Sequence, residues 1–504
     1  MDFLDQGFHL VIILADAGRL QKVKQFYLCP AALLVNFVEM FSTHIKSVHF
    51  VGIGGTAMAA AAAAMQDKGF SVTGSDQSVY EPMAAFLAAK KIKVINGYAE
   101  QNLAYKPDLV IIGNAISLGN PEAEFALDHK LRYCSLAELL SEFFIRGKRS
   151  LVVSGTHGKT TTTSLLTWVF EHNGLNPSYL IGGIPNNLGQ GARFTNSEWF
   201  IIEGDEYDTA FFDKRSKFIH YHPEVAIINN LEFDHADIFE NLAAVQKTFT
   251  HFIRLVPRNG LLLGNGDDAN LAPLLNVTHC PVKRFGLGAE NAVQAFNLQF
   301  GSTATTFEIP SFKFHLNLVG ELNVRNALAV VACAKHCGLK NQQIQAAFDT
   351  FKGIKRRMEI KGIAGGVTVV DDFGHHPTAI RETLKALRIK YPTEKIWAIF
   401  EPRTNTTRRN IFQNELPYAF ADASVVILSQ IARLEQLAPG DRLNPVQLME
   451  DLKMLGKESH YLPDADAIVN HVAKGARGGD VVVVFSNGGF DGIHGKLLAN
   501  LGRK

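Results

Sequence analysis

The stretch Leu151-Val-Val-Ser-Gly-Thr-His-Gly-Lys-Thr-Thr-Thr-Thr-Ser164 decides the fold of the centre of this chain. Its apolar, β-branched start predicts a buried strand, which ends at Gly155. Gly158-Lys159-Thr160 then opens a helical pattern that continues through Phe170. A strand, a glycine loop and a helix N-terminus bind phosphate well, because backbone N–H groups and the positive end of the helix dipole face the anion. We therefore predict a nucleotide-phosphate site here.

The spacing differs from the standard phosphate loop, which has a glycine five residues before its second glycine. Val153 stands at that position, so the glycines lie closer together. Lys159 would reach the β- and γ-phosphates, and the Thr160 hydroxyl would bind Mg²⁺. The predicted phosphate loop consists of Gly155, Thr156, His157, Gly158, Lys159, Thr160 and Thr161.

The composition is that of an ordinary globular protein. The 504 residues suggest about three domains; 47% are hydrophobic, 20% are charged, and the formal net charge is +1. This balance gives no general electrostatic argument for nucleic acid or an anionic membrane as partner. We predict no membrane span, because no run reaches about 18 apolar residues. The five scattered cysteines favour a reducing, cytoplasmic environment.

Residues 1–45 do not share the pattern of the rest. Two apolar runs, 9–15 and 31–38, are separated by charged residues, and acidic residues precede the first run. A secretory signal would place positive charge there instead. We expect either an added N-terminal segment or an overcalled start, with Met40 as the true one. A natively expressed chain whose intact mass begins at Met1 would contradict the second interpretation.

Residues 46–148, the first domain, have a Rossmann-like pattern. Strand 47–51 leads into Gly52-Ile-Gly-Gly-Thr-Ala-Met58 and an alanine-rich helix, and a second strand runs towards Asp76. The glycines resemble the dinucleotide fingerprint G-x-G-x-x-G, although Ala57 replaces its third glycine. Asp76 stands where a ribose-binding acid would lie. A further buried strand, 109–112, ends at Gly113-Asn114. An NAD(P)-dependent oxidoreductase therefore stays open at this point.

Residues 149–352, the central domain, contain two more strands that end in polar blocks. Strand 199–202 runs into Glu203-Gly-Asp-Glu-Tyr-Asp208, and strand 225–228 runs into the block 229–237, which contains His235. Carboxylates and an imidazole beside a phosphate loop indicate a Mg²⁺–nucleotide site. Asn323 and Asn326 lie one turn apart on a later helical pattern. They either hold the edge of a base or serve as helix caps and surface polar groups.

Residues 353–504, the third domain, predict another open parallel sheet. Its strands are expected at 366–370, 396–400, 424–428 and 481–485, with helical patterns between them. The strand ends carry Asp371-Asp-Phe-Gly-His-His-Pro377, Glu401-Pro-Arg403 and Ser486-Asn-Gly-Gly-Phe490. The predicted fold class is thus α/β in three domains: Rossmann-like, phosphate-loop ATPase and Rossmann-like.

Taken in order, these blocks resemble the Mur ligases, which build the peptide stem of bacterial peptidoglycan. The resemblance covers about residues 46–504. Its blocks are Gly52-Ile-Gly-Gly-Thr56, Gly155-Thr-His-Gly-Lys-Thr-Thr161, Glu203-Gly-Asp-Glu-Tyr-Asp208, Asn230-Leu-Glu-Phe-Asp-His-Ala-Asp237, Gly320-x-x-Asn323-x-x-Asn326, Arg356-Arg357 and Asp371-Asp-Phe-Gly-His-His-Pro-Thr378. Leu322 departs from the family, in which histidine usually precedes the first of the two asparagines.

The resemblance implies an ATP-dependent carbon–nitrogen ligase that activates the carboxylate of UDP-N-acetylmuramate as an acyl phosphate. Three blocks are similar to the branch that adds the tripeptide L-Ala-γ-D-Glu-meso-diaminopimelate during cell-wall recycling: 211–217, 400–406 and 486–494. Addition of L-alanine is the alternative within the family. A non-catalytic ATP switch is the alternative outside enzymology, and it would leave the third-domain blocks without a role.

The resemblance also implies residue roles. Lys159 neutralises the γ-phosphate. Thr160 and Glu203 hold one Mg²⁺, and His235 holds a second near the acyl phosphate; Mn²⁺ could substitute for Mg²⁺. His375 and His376 lie near the reacting groups, although a His-His-Pro turn can also start a helix. The other expected contacts are ATP with Asn323, Asn326, Arg356, Asp371 and Asp372, the UDP-sugar with Gly52, Gly54, Gly55, Asp76 and Asn114, and the tripeptide with Arg403 and Asn405.

Overall fold

The computed structural model describes residues 45–503; apart from Ile45, the predicted N-terminal extension or overcalled start lies outside them. Three β-sheets, each with helices between its strands, follow one another along the chain, and a small antiparallel sheet accompanies the second. The predicted α/β class with three successive units is therefore confirmed. Among the described helices, none combines the length and hydropathy that a membrane crossing needs.

The first sheet is fully parallel and has the strand order β3-β2-β1-β4-β5. Its strands are β1 (Ser47–Val51), β2 (Ser71–Asp76), β3 (Lys93–Asn96), β4 (Leu109–Ile112) and β5 (Tyr133–Ser135). Its helices are Thr56–Asp67, Met83–Ala89, Pro121–Asp128 and Leu136–Leu140. The continuous apolar runs of β1 and β4 are buried, as expected for parallel strands covered on both faces.

The second sheet has eight strands in the order β13-β12-β11-β10-β6-β9-β7-β8, and only the β7–β8 pair is antiparallel. The strands are β6 (Arg149–Ser154), β7 (Ser178–Leu180), β8 (Ala192–Arg193), β9 (Trp199–Glu203), β10 (Val225–Ile228), β11 (Leu261–Asn265), β12 (Val282–Gly286) and β13 (Val293–Gln294). The helices are Lys159–His172, Leu242–Ile253, Glu321–His336 and Asn341–Thr350. Because β6 pairs with both β9 and β10, their following loops meet at one edge of the sheet.

A three-stranded antiparallel sheet was not predicted. It consists of β14 (Phe296–Phe300), β15 (Thr305–Ile309) and β16 (Phe312–Leu316). β15 and β16 alternate between buried and more exposed residues, and β14 has no buried residue, so these strands lack the continuous apolar runs that identified the predicted strands. Phe307 and Phe314 extend the core of the central domain into this sheet.

The third sheet has the order β17-β18-β22-β19-β20-β21. The strands are β17 (Glu359–Ala364), β18 (Val367–Asp372), β19 (Ile396–Phe400), β20 (Val425–Ser429), β21 (Glu458–Leu462) and β22 (Val481–Phe485). The helices are Pro377–Lys390, Leu416–Ala419, Pro445–Met454, Ala465–Gly475 and Ile493–Leu501. The prediction of an all-parallel sheet was wrong at one edge, because β17 forms an antiparallel hairpin with β18. Gly365 and Gly366, both with positive φ, make the turn between them.

Candidate active site

The phosphate loop requires glycine at two positions. Gly155 has φ +127° and Gly158 has φ +80°, a region that other residues rarely adopt. A Cβ atom on Gly158 would lie 2.4 Å from Asn326 Oδ1, and one on Gly155 would lie 3.0 Å from Asn229 N. The loop is therefore packed so closely that its glycines cannot be exchanged without movement of the asparagines around it.

Two asparagines after β10 hold this loop in place, and no role was predicted for either from the sequence. Asn230 accepts a hydrogen bond from His157 N at 2.7 Å and donates one to His157 O at 3.1 Å. Asn229 Nδ2 donates to Thr162 Oγ1 at 2.9 Å. Their position directly after a strand beside β6 was the signal that could have identified them.

Lys159 begins the helix Lys159–His172 and is paired with a buried acid. Its Nζ donates to Gly155 O at 2.7 Å and to Glu206 Oε2 at 2.9 Å. Burial alone would lower the pKa of Lys159, but the charges of Glu206 and Asp205 outweigh it and raise the pKa. Burial would raise the pKa of Glu206, yet Lys159 and His235 lower it to about 2. Both partners are thus held in their charged forms, and Glu206 is a site residue that the sequence analysis missed.

Thr160, in the phosphate loop, lies next to Glu203, the last residue of β9. Thr160 Oγ1 donates to Glu203 Oε2 at 3.3 Å, and Gly182 N donates to Glu203 Oε1 at 2.7 Å. Burial and the nearby charge of Asp205 raise the pKa of Glu203 to about 7. The positive charges of Lys159 and Arg357 offset only part of this effect. A buried carboxylate next to a hydroxyl oxygen is a donor set that suits a hard divalent cation such as Mg²⁺.

His235 lines the same cavity as Thr160 and Glu203. Its Nε2 is 3.4 Å from Glu206 Oε1, and its ring contacts Tyr207 with the ring centroids 5.3 Å apart. Burial would lower the pKa of His235, but Glu206 outweighs this effect and raises it. Lys159, Thr160, Glu203 and His235, predicted from three separate blocks, therefore meet in one cavity of about 740 Å³.

The same cavity, which we call the nucleotide cavity, is also lined by the two asparagines of the helix Glu321–His336. Asn323 Nδ2 donates to Val319 O at 2.9 Å, and Asn326 is buried against the phosphate loop. Leu322, which replaces the usual histidine, lines the cavity as well. The structure thus brings the predicted base-binding helix to the phosphate loop.

The two consecutive arginines of the third domain take different positions. Arg356 has φ +60°, does not line the nucleotide cavity, and donates through Nη2 to Ser486 O at 2.6 Å and Gly488 O at 2.8 Å. Arg357 does line the cavity, with its Nη2 3.5 Å from Thr160 Oγ1. Arg357, and not Arg356, therefore lies where the ATP contact was expected. The two side chains point apart at the left-handed turn of Arg356.

Asp371 and Asp372 also diverge, because both belong to β18, where successive side chains face opposite sides of the sheet. Asp372 lines the nucleotide cavity, but its two oxygens accept hydrogen bonds from Met358 N and Gly374 N, each at 2.8 Å. Asp371 does not line it and lies 3.4 Å from Arg356 Nε.

His375 and His376 both line the nucleotide cavity, and His376 also starts a helix. His376 Nδ1 accepts a hydrogen bond from Thr378 N at 3.2 Å, and its Nε2 lies 3.3 Å from Phe233 O. Burial and the neighbouring His157 lower the pKa of His376 to about 3. Burial also lowers the pKa of His375, whose Nε2 is 3.8 Å from Asp234 Oδ2. The alternative that the His-His-Pro turn starts a helix therefore agrees with the hydrogen bond that His376 accepts from Thr378 N.

The depressed pKa of His376 predicts acid sensitivity. An exposed histidine has a pKa near 6.5, so His376 of the unfolded chain binds a proton as the pH falls below that value. His376 of the folded chain stays neutral over the same range, and the free energy of unfolding therefore decreases. We expect His376→Asn, which keeps an acceptor at the helix start, to weaken this dependence. The free energy of unfolding should fall less between pH 7 and pH 5.5, by about 1 kcal/mol. Identical pH dependence in urea unfolding of both proteins would contradict the prediction.

A second cavity, of about 860 Å³, lies between the glycine turn of the first domain and the acidic loop of the central domain. We call it the acceptor cavity. Of the predicted UDP-sugar residues, Gly52, Gly55, Asp76 and Asn114 line it. Gly54 does not; its N–H donates to Asp76 Oδ2 at 2.8 Å and so fixes that carboxylate against the turn.

The two cavities meet. Gly182, Glu203, Asp205 and Tyr207 line both of them. A group that extends along the acceptor cavity would therefore arrive beside the phosphate loop.

Arg403 and Asn405, the predicted tripeptide residues, follow β19 and line neither cavity. Arg403 is 55% exposed, and its Nη1 lies 3.7 Å from Glu401 Oε1. Asn405 Nδ2 donates to Asp237 Oδ2 of the central domain at 2.9 Å. The structure leaves the Arg403 guanidinium accessible, whereas it uses the Asn405 amide in a contact between domains.

Three family models match this chain in order. They are "Mur ligase family, catalytic domain" at residues 47–148, "Mur ligase middle domain" at residues 153–334, and "Mur ligase, glutamate ligase domain" at residues 356–488. The chain is 41% identical over 461 residues to the UDP-N-acetylmuramate–L-alanyl-γ-D-glutamyl-meso-2,6-diaminoheptandioate ligase of Escherichia coli K12, covering 91% of this chain and 98% of that protein. It is 35% identical to the UDP-N-acetylmuramate–L-alanine ligase of Acetivibrio thermocellus, covering 88% and 93%.

Solved structures give the same result. A murein peptide ligase from Psychrobacter arcticus is 34% identical, with a TM-score of 0.68 and coverage of 91% of this chain and 99% of that one. The UDP-N-acetylmuramate–alanine ligase of Thermotoga maritima, at 24% identity and a TM-score of 0.72 over 90% and 98% of the chains, shares the fold. The chain belongs to the Mur ligase family, whose members are ATP-dependent amide ligases.

Proposed function

We propose that this protein joins UDP-N-acetylmuramate to L-Ala-γ-D-Glu-meso-diaminopimelate, with ATP hydrolysed to ADP and phosphate, through an acyl phosphate. The observation that carries the proposal is the junction of the two cavities at Gly182, Glu203, Asp205 and Tyr207. It allows a carboxylate on a bound sugar nucleotide to meet the γ-phosphate of ATP. The family match of the first domain gives no support to the NAD(P)-dependent alternative.

In the first step, a carboxylate oxygen of the muramic acid attacks the γ-phosphorus and ADP leaves. We propose that Lys159 turns from Glu206 to the γ-phosphate and neutralises its charge, while the phosphate loop binds through its backbone N–H groups. Thr160, Glu203 and His235 would hold Mg²⁺, or Mn²⁺ in its place, which supplies further charge neutralisation between phosphate and carboxylate. Arg357, 3.5 Å from Thr160 Oγ1, adds a positive charge at the same point.

In the second step, the α-amine of the tripeptide attacks the acyl carbon, and the tetrahedral intermediate expels phosphate. The amine must lose a proton in this step. His375 is suited to accept it, because burial holds its imidazole neutral and it lines the nucleotide cavity. His376, whose two nitrogens face Thr378 N and Phe233 O, instead positions the helix Pro377–Lys390.

The amine substrate carries a carboxylate at its diaminopimelate end, and we propose that Arg403 binds it. A guanidinium presents two parallel donors that match a carboxylate, and this one is accessible. Because ATP and UDP-linked sugars are made inside the cell, we propose that the reaction takes place in the cytoplasm.

Phosphate release tests the proposal. The protein is incubated with ATP, Mg²⁺ and UDP-N-acetylmuramate, with either the tripeptide or L-alanine as amine. UDP-N-acetylglucosamine, which lacks the carboxylate, is the matched control acceptor. We expect phosphate release only in the reaction that contains both the tripeptide and UDP-N-acetylmuramate. Release with L-alanine alone would establish the alternative amine, and silence with both amines would overturn the proposal.

A further inference from the structure

The segment that carries His235, residues 232–237, is held by the third domain along most of its length. Glu232 Oε2 accepts a hydrogen bond from Thr378 Oγ1 at 2.8 Å. The next two residues face the histidine pair of the third domain: Phe233 O lies 3.3 Å from His376 Nε2, and Asp234 Oδ2 lies 3.8 Å from His375 Nε2. These contacts hold the first half of the segment.

The loop after β19, residues 401–407, holds the second half, and we call it the docking loop. Ala236 N donates to Thr406 Oγ1 at 3.2 Å, and Asp237 Oδ2 accepts from Asn405 Nδ2 at 2.9 Å. Thr406 is buried in this contact. Within the segment, His235 itself points away from the third domain, towards Glu206 and Tyr207 of its own domain.

The backbone conformation at His235 is unfavourable by itself and needs contacts from the surrounding structure to hold it. Its φ of +53° lies in the left-handed region, which is unfavourable for a residue with a β-carbon and persists where the surrounding structure imposes it. Within the central domain, His235 N donates to Asp234 Oδ1 at 2.7 Å, and His235 O accepts from Ile238 N and Phe239 N. The hydrogen bond from the next residue, Ala236 N, crosses to the third domain.

We propose that Thr406 and Asn405 are positioning residues that hold the turn at His235 so that its imidazole faces the metal site. The metal site is then complete only while the docking loop is seated on the central domain. Because Arg403 belongs to the same loop, the loop that we assign to the amine substrate also shapes the phosphate site. This inference rests on the proposed role of His235 but not on the identity of the amine.

Such a link has a chemical use. An acyl phosphate is hydrolysed by water, so its formation is productive only when the amine-binding domain is in place. A metal site that depends on the seated docking loop would tie activation of the carboxylate to domain closure.

Hydrogen–deuterium exchange of the metal-free, substrate-free protein tests the contact directly. Thr406→Val keeps the shape of the side chain and removes the acceptor for Ala236 N. We expect exchange of a peptide spanning 232–240 to accelerate by about tenfold, the effect of losing one ordinary hydrogen bond. Thr407→Val is the matched control, because the Thr407 hydroxyl bonds Thr404 within the docking loop. Unchanged exchange in Thr406→Val, or equal acceleration in both variants, would overturn the proposal.

Mn²⁺ affinity, followed by electron paramagnetic resonance in the presence of ADP, tests the consequence for the metal site. We expect Thr406→Val to bind Mn²⁺ about tenfold more weakly, Thr406→Ser to restore the affinity, and Thr407→Val to keep it. Unaltered affinity in Thr406→Val would overturn the link to His235. Neither measurement uses the amine, so a protein that ligates a different amine, or none, would contradict the proposed function and leave this inference standing.

Discussion

Replacing Lys159 by methionine will reduce ATP turnover by about a thousandfold while the protein stays folded. We expect a large loss because Lys159 begins the helix of the phosphate loop and, in the proposed mechanism, its ammonium group neutralises the transferred phosphate. Methionine keeps the length and packing of the side chain without its charge. Phosphate release with saturating UDP-N-acetylmuramate and tripeptide measures the effect, and circular dichroism verifies the fold. Turnover within tenfold of the unaltered protein would refute the role of Lys159.

The partner of Lys159 complicates this experiment and also supplies its control. Glu206 is buried, and without the ammonium group its carboxylate keeps, among residues 45–503, only His235 as a partner in an ion pair. Removing one partner of a buried ion pair costs about 3–5 kcal/mol, so we expect the variant to be less stable. The double variant Lys159→Met with Glu206→Gln removes both charges together. We expect it to recover thermal stability but not turnover, and recovery of turnover would show that the single variant had failed through unfolding.

The three main sheets could be predicted because their central strands are buried on both faces. The sequences of such strands are continuous β-branched and apolar runs. The predicted bounds agree with the structure for the strands at 47–51, 109–112, 225–228, 396–400 and 481–485. In the small sheet, β15 and β16 bury every second residue, whereas β14 and the edge strand β17 contain no buried residue. Their sequences contain no such run, so the fold of these edges depends on the core they pack against.

The candidate site divides in the same way. The glycine loop and the acids at strand ends are local features, so they could be located from spacing alone. Which of two neighbouring side chains faces the cavity is a tertiary property, and this explains why Arg356 was expected where Arg357 lies. The roles of Asn230 and Glu206 depend on strands that are distant in sequence and adjacent in the sheet. The hydrophobic pattern of a single segment does not show which other segments its residues will contact.

Replacing Arg403 by alanine will raise the KM for the tripeptide by about thirtyfold and leave the KM for ATP unchanged. Charge-assisted hydrogen bonds to a carboxylate contribute about 1.5–3 kcal/mol, which corresponds to roughly 10-fold to 150-fold in affinity. Arg403→Lys keeps the charge but loses the planar pair of donors, so we expect an intermediate KM. Initial rates at varied tripeptide and varied ATP give both constants.

The structure also offers a purely structural role for Arg403, and the choice of substrate separates the two. Its guanidinium lies near Glu401, which accepts a hydrogen bond from Ser486 Oγ at 2.5 Å, and its side chain fills the space beside Gly488. Alanine would therefore loosen two strand-end loops even if no substrate touched Arg403. L-Ala-γ-D-Glu-L-Lys lacks the distal carboxylate of the diaminopimelate tripeptide. If Arg403 binds that carboxylate, the substitution raises the KM of the diaminopimelate peptide and leaves that of the lysine peptide unchanged. An equal rise with both peptides, or an equal rise for ATP, would assign Arg403 to the loops instead.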